Sequence, residues 1–166
     1  MLQHWVNLIS VLQINDKFDE INTLIELASE SNLSQHELDY LSNTLNAPPL
    51  EKQHELLAMY QRGNHLSTEI AARLMIQHYP QHPTGWQILG NLLQDSGHPE
   101  QALEIKLKTV ELFPKDANAH NNLAYTLLAL GDNTNALESA RNALSIDPKH
   151  PQAKALERQA LAALAK

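Results

Sequence analysis

Apolar residues recur every three or four positions along most of the chain, which is typical of helices with one buried face. The pattern predicts a first helix over 2–14 and a second helix after Asp16, which we expect to cap it. Ser34 and Glu37 form a capping box that predicts the start of a third helix, and Pro48 predicts its end. The same spacing predicts seven further helices, over 51–62, 65–78, 83–95, 99–112, 117–129, 133–145 and 151–166.

Glycine and proline punctuate the second part of the chain at a period of 34 residues. The glycines are Gly63, Gly97 and Gly131, and the prolines are Pro80, Pro114 and Pro148. We expect each glycine to end the first helix of a pair in the left-handed conformation and each proline to stop the second helix. A period of this length is typical of stacked helix–turn–helix units. The sequence therefore predicts a repeat scaffold, which supports a binding function without naming what is bound.

These positions resemble the tetratricopeptide repeat (TPR) family, whose 34-residue pattern is W-x2-L-G-x2-Y…A-x3-F…P. In the middle copy the matching residues are Trp86, Leu89, Gly90, Leu93, Ala102 and Pro114. In the next copy they are His120, Leu123, Ala124, Leu127, Ala136, Ala140, Ala143 and Pro148. The earlier copy departs from the pattern, with Leu56 and Thr68 in place of small residues. The middle copy departs at Lys106, where an aromatic or apolar residue is usual.

The resemblance implies an all-α fold, a TPR-type right-handed superhelix of antiparallel helix pairs. We expect residues 1–48 to form an irregular, degenerate helical N-terminal region of three helices. Residues 49–166 are expected to form a TPR array of about three repeats, covered by a C-terminal cap helix from Pro151. The repeats are also similar to those that precede bacterial O-GlcNAc-transferase-like and sulfotransferase domains.

The formal charge of −7 is unevenly distributed, because residues 1–50 hold seven acids against Lys17 alone. An acidic N-terminal region argues against nucleic acid as a partner. It is consistent with either a basic partner or a solvated surface. Cysteine is absent, which excludes disulfides and thiolate chemistry. No apolar run approaches the ~18 residues of a membrane span, and the first residues lack a signal-peptide pattern. We therefore expect a cytoplasmic protein without membrane insertion.

Nine histidines raise the question of a metal site. No HExxH motif occurs, and Pro80 interrupts the helix that could align His78 with His82. We expect the histidines to lie at the surface or in packing positions, with His120 packed at the aromatic position of its repeat. A nucleophile elbow, a phosphate loop and a glycine-rich dinucleotide turn are also missing from the sequence. The sequence therefore predicts no enzymatic activity, no metal and no cofactor.

By resemblance to the family, the first helix of each pair faces the concave inner side of the superhelix. Amide side chains are frequent at these positions, and an amide can both donate to and accept from a peptide backbone. We therefore predict a scaffold or adaptor that binds a peptide segment or helix of another protein in a concave groove. The predicted binding residues are Gln87, Asn91, Gln94, Asn121, Asn122, Tyr125 and Leu128.

Three alternatives stay open at this point. The amides could simply be tolerated on a solvated face. The chain could present substrates to a glycosyltransferase-type enzyme that acts in trans. It could also self-associate as a homodimer through an apolar stripe on the first helix, unless that stripe packs on the second helix. The stripe consists of Leu2, Trp5, Ile9 and Leu12.

Overall fold

The protein is described by a computed structural model that covers residues 2–31 and 33–165. This part of the chain forms ten helices with short connections, in agreement with the predicted all-α class. The helices are α1 Leu2–Ile14, α2 Phe18–Ser29, α3 Gln35–Leu45, α4 Leu50–Gln61, α5 His65–His78, α6 Pro83–Asp95, α7 Pro99–Leu112, α8 Ala117–Ala129, α9 Asn133–Ile146 and α10 Pro151–Leu164. Within the described ranges, no helix is long and apolar enough to cross a membrane.

Helices α4 to α9 pack as three antiparallel pairs, as the 34-residue period predicts. The turn inside each pair contains a glycine with positive φ, at 72° for Gly63 and 81° for both Gly97 and Gly131. Other residues adopt this backbone conformation at a cost, which accounts for glycine at these turns. Helix α10 packs on α9 and α8, in the manner expected of a cap helix.

Small residues allow neighbouring helices of the array to approach closely. Ala72, Ala102, Ala124 and Ala136 are completely buried where helices cross. The repeat pattern does not single out Gly85, at which α6 comes close to α5. A Cβ atom on Gly85 would lie 3.1 Å from the backbone oxygen of Ala72, so a larger residue would require α5 and α6 to shift by a few tenths of an ångström.

Helices α1, α2 and α3 share a separate core formed around Ile9, Ala28 and Leu41. Leu2 and Trp5 pack against this core, and Leu12 is also buried. The apolar stripe of α1 therefore has partners inside the molecule. The hypothesis of self-association required an unpartnered stripe, so the structure removes its premise.

The turn between α1 and α2 differs from the prediction that Asp16 caps the second helix. Asp16 adopts a φ of 57°, a left-handed conformation that aspartate tolerates better than most residues. The residue before α2 is Lys17, which makes no side-chain capping bond. The Asp16 carboxylate instead accepts a hydrogen bond from Lys52 on α4. Asp16 thus links the N-terminal region to the array.

Phe18, the first residue of α2, also joins the N-terminal region to the array. Its ring stacks on His78 at the end of α5, with centroids 3.8 Å apart and planes 2° from parallel. The same ring meets the edge of Tyr79 at a centroid distance of 5.8 Å. The contact places the start of α2 over the open side of the α4–α5 pair.

Candidate functional site

The first helices of successive pairs contact one another in series. Helix α4 packs on α6, α6 on α8, and α8 on α10. We call the surface formed by α4, α6 and α8 the first-helix face. All seven predicted binding residues lie on two neighbouring helices of this face. Gln87, Asn91 and Gln94 belong to α6, and Asn121, Asn122, Tyr125 and Leu128 belong to α8.

Some of these side chains make no hydrogen bond within the described part of the molecule. Tyr125 is 54% exposed. Asn91 and Asn122 are half-buried, and their amides make no hydrogen bond within the described part of the chain. The Oδ1 atom of Asn121 is buried, and among the described residues it has no partner. Three asparagines with unused hydrogen-bonding capacity therefore lie on α6 and α8, and α8 also carries the exposed ring of Tyr125.

Gln87 has a structural partner across the repeat boundary. Its Nε2 atom donates a hydrogen bond of 2.5 Å to Oδ2 of Asp116. The other carboxylate oxygen of Asp116 caps α8 by accepting from the backbone N–H groups of Asn118, at 2.8 Å, and Ala119, at 3.4 Å. Gln87 therefore fixes the start of α8 relative to α6.

Gln94 also has partners inside the molecule. Its Oε1 atom accepts hydrogen bonds from Lys106 on α7 and from Oγ1 of Thr126 on α8, the latter at 2.5 Å. Lys106 in turn donates to Thr126 at 2.8 Å. This Gln94–Lys106–Thr126 cluster ties together three helices. The side chain of Leu128 also has contacts inside the molecule, since it packs against the apolar clusters between α8, α9 and α10.

Lys106 is only 3% exposed, although the sequence places it at an apolar position of the repeat. Gly90 makes room for its aliphatic stem, because a Cβ atom there would lie 3.0 Å from Lys106 Cγ. Burial lowers the pKa of Lys106 to about 8, and the negative charge of Asp95 opposes this shift only in part. The ammonium group makes no salt bridge within the described residues.

A further contact joins two of the first helices and is not expected from the repeat pattern. The hydroxyl of Tyr60 on α4 donates a hydrogen bond of 2.5 Å to Asp95, the last residue of α6. Burial, together with the hydrogen bond to Asp95 and its negative charge, raises the pKa of Tyr60 to about 12. From the sequence alone, Asp95 would be a solvated charge. The partners are 35 residues apart, close to one repeat, and this spacing is the signal that could have suggested the contact.

Histidines serve as structural residues in the array. His120 is 8% exposed and bonds through Nε2 to the carbonyl oxygen of Pro114 at 2.9 Å, which confirms its predicted packing role. Trp86, one repeat earlier, donates in the same way to the carbonyl oxygen of Pro80 at 3.0 Å. The described residues contain no group of three metal-ligating side chains that could hold an ion.

The helical pairs, their glycine turns and the serial contact of first helices are arranged as in tetratricopeptide repeat domains. Residues 107–138, from α7 through α8 into α9, match the tetratricopeptide repeat family. This segment therefore matches the family in sequence, and the chain as a whole has the fold of tetratricopeptide repeat domains. No curated protein sequence matches it.

Solved structures show the same fold. The first TPR domain of Spaghetti (RPAP3), bound to an HSP90 peptide, matches with a TM-score of 0.66 and 15% identity over 70% of this chain and 93% of that one. The Yersinia enterocolitica type III secretion chaperone SycD, in complex with a peptide of the translocator YopD, matches with a TM-score of 0.59 and 16% identity over 69% and 88%. An O-GlcNAc transferase of Thermobaculum terrenum has a TM-score of 0.59 and 26% identity over 68% of this chain and 22% of that chain.

Proposed function

We propose that this protein is a non-enzymatic interaction scaffold that binds a peptide segment of a partner protein on its first-helix face. The observation that carries the proposal is the pair Asn91 and Asn122, whose half-exposed amides have no hydrogen-bond partner within the described residues, beside the exposed ring of Tyr125. Structural neighbours support it, since the RPAP3 domain was solved with an HSP90 peptide and SycD with a YopD peptide.

The proposed mechanism divides the predicted residues into two groups. Asn91 and Asn122 donate to and accept from the main chain of the bound segment, and Tyr125 contacts an apolar side chain. Gln87 and Gln94 hold α6, α7 and α8 in position through their internal hydrogen bonds. A wall that is already fixed loses little conformational entropy when a peptide binds, which favours affinity.

Peptide display tests this proposal whatever the natural partner is. Ligands are selected from a random library on the wild-type protein, and their affinities are then measured for the variant Asn91→Ala/Asn122→Ala. Each lost hydrogen bond is worth about 0.5–1.5 kcal/mol, so we expect the double variant to bind about tenfold more weakly. The matched control is Asn135→Ala/Asn142→Ala, which removes two exposed amides from α9 and should leave affinity unchanged.

An equal loss of affinity in both double variants would show that binding does not use the first-helix face. Unchanged affinity in Asn91→Ala/Asn122→Ala would discard the assignment of the two asparagines as the binding residues. Thermal unfolding of each variant, followed by circular dichroism, separates either result from a loss of the fold.

A second candidate function is the presentation of substrates to a glycosyltransferase-type enzyme acting in trans. The 26% identity to the Thermobaculum terrenum O-GlcNAc transferase, confined to 22% of that chain, favours this candidate. This candidate would be supported if a neighbouring gene encodes a catalytic chain and if that chain co-elutes with this protein in size-exclusion chromatography. Separate elution of the two chains, with unchanged turnover of the enzyme on adding the scaffold, would count against it.

A further inference from the structure

A cavity of about 370 Å³ lies between α4, α5 and the start of α2. None of the seven predicted binding residues lines it, so it is separate from the site proposed above. Its mouth carries Asp16, Lys52 and Glu55. Its walls are mostly apolar and are formed by Phe18, Leu56, Met59, Ala71, Leu74, Met75 and Tyr79, with His78 at the edge.

The 34-residue register explains why this pair of helices leaves a cavity. Leu89 and Leu123 occupy the interior of the later pairs and are 1% and 5% exposed. The equivalent residue of α4 is Glu55, whose side chain is exposed at the cavity mouth. Ala71 likewise stands where the next repeat has the larger Ile105. A charged residue and a small one thus replace two side chains that would fill the space.

Tyr79 places an unused hydroxyl group at this cavity. The residue is 3% exposed, and its hydroxyl makes no hydrogen bond within the described chain. The next repeat has Phe113 at the equivalent position, so packing alone does not require a hydroxyl there. Burial and, to a smaller extent, the negative charge of Asp16 raise the pKa of Tyr79 to about 12. The group therefore stays protonated at neutral pH, and it can donate and accept a hydrogen bond.

The cavity continues into an exposed apolar stripe on α5. Leu66, Ile70 and Leu74 are 74%, 53% and 49% exposed and follow one another at intervals of four residues, so they lie along one side of the helix. Leu74 belongs to both the stripe and the cavity wall. An amphipathic helix binds along such a surface by placing its apolar side chains at a spacing of three and four.

Charge indicates which helix the surface fits. Lys52 already pairs with Asp16, whereas Glu55 makes no salt bridge within the described residues. The mouth thus has two carboxylates against one ammonium group, and the N-terminal region to which Asp16 belongs (residues 1–50) has a net charge of −6 in all. Basic side chains of a partner would be attracted to this side of the molecule.

We propose that the cavity and the α5 stripe form a second docking surface, which takes a basic amphipathic helix of a partner protein. One apolar side chain of that helix enters the cavity, and its basic residues face Glu55. This surface is additional to the peptide-binding face described above.

Two synthetic helical peptides provide the test. They share the same apolar face with a central phenylalanine and differ only in whether the flanking positions are lysine or glutamate. Fluorescence anisotropy with the whole chain should show binding of the lysine peptide and at least tenfold weaker binding of the glutamate peptide. Glu55→Lys should narrow this preference, because it removes the unpaired carboxylate and adds a positive charge at the mouth.

Variants of the protein locate the binding site. Leu74→Ala should weaken binding of the lysine peptide, whereas Leu107→Ala, which removes an equally exposed leucine from α7, should not. Ala71→Ile/Glu55→Leu introduces the residues of the next repeat, so it should close the cavity, keep the fold and abolish binding. Asn91→Ala/Asn122→Ala should leave this binding unchanged, which separates the two surfaces.

Three results would overturn the proposal. The first is equal binding of the two peptides by the wild-type protein. The second is equal weakening by Leu74→Ala and Leu107→Ala, which stands as a test even where the cavity-filling variant fails to fold. The third is a dimer of the wild-type protein in light scattering that Leu74→Ala dissociates, since the surface would then belong to a second copy of this chain.

Discussion

Lys106 is a buried ammonium group whose hydrogen-bond partners, Gln94 and Thr126, are both neutral. Its pKa falls from 10.5 to about 8 because burial penalises the charged form. At neutral pH the folded protein therefore carries an unfavourable contribution, on the order of 3 kcal/mol, that the unfolded chain does not have. The cluster ties α6, α7 and α8 together, but the charge at its centre costs stability.

This shift predicts how stability depends on pH. Between about pH 8 and pH 10.5 the unfolded chain binds more protons at Lys106 than the folded protein does. The free energy of unfolding should therefore rise with pH across this window, relative to a variant without the lysine. Lys106→Met keeps an unbranched side chain beside Gly90 and leaves the bond between Thr126 and Gln94 in place. We expect it to be more stable than the wild type at neutral pH.

Urea unfolding of the wild type and Lys106→Met at several pH values measures the difference. The difference in the free energy of unfolding between the two proteins should become smaller as the pH rises. Tyrosine ionisation affects both proteins alike. Lys108→Met, which removes an exposed lysine two positions away, is the matched control and should follow the wild type. Parallel pH profiles for the wild type and Lys106→Met would contradict the assignment of the shift to this lysine.

The helices differ in whether their ends are defined by local sequence or by distant partners. The glycine turns depend on a backbone conformation that one residue determines, so Gly63, Gly97 and Gly131 could be predicted without a structure. The end of α3 depends instead on Gln13, which is 3% exposed on α1. Its Nε2 atom donates to three carbonyl oxygens at the end of α3, those of Thr44, Leu45 and Ala47, at 3.2–3.3 Å.

Gln13→Ala should therefore destabilise α3 more than any other helix. The last carbonyls of a helix have no partners within it, and leaving the partly buried carbonyls of Leu45 and Ala47 unpaired costs up to about 1–3 kcal/mol. Hydrogen exchange read by mass spectrometry should show faster exchange in α3, with α8 unchanged. Gln3→Ala serves as the control, since it removes an exposed glutamine of the same helix whose one side-chain bond within the described residues is to Asn7. Unchanged exchange in α3 would mean that another contact holds its end.

The same distinction separates the predictable part of the candidate site from the rest. The family pattern placed seven residues on α6 and α8, because position within a repeat fixes the helix face. It did not show which amides are already used, since the partner of Gln87 is Asp116, 29 residues away. The cavity could have been predicted from the sequence, because Glu55 occupies the repeat position that Leu89 and Leu123 occupy in the later pairs. The role of Asp16 had none, since its partner Lys52 lies in another part of the fold.

At the scale of the whole molecule, the apolar clusters separate helices α1 to α3 from the array. They do not separate α10 from the array. The cluster of α1 to α3 contains no residue of the array, and the array clusters contain only Phe18 from the N-terminal region. By contrast, α10 contributes Leu156 and Ala160 to the clusters of α8 and α9. We therefore propose that residues 49–166 fold without the first 48, whereas the array depends on α10.

Two truncations test this division. Residues 49–166 lose both the Phe18 contact and the ion pair of Lys52 with Asp16, so they should show an array stability similar to that of Phe18→Ala/Asp16→Asn in the whole chain. Residues 1–148 lose α10, and because burying a leucine contributes about 1.5–3 kcal/mol, we expect a larger fall in the melting temperature. They also expose Leu123 and Leu127, which should increase binding of a dye that fluoresces on apolar surfaces. Thermal unfolding of the three proteins, followed by circular dichroism, ranks their melting temperatures. A larger fall in melting temperature on removing the first 48 residues than on removing α10 would contradict the proposal.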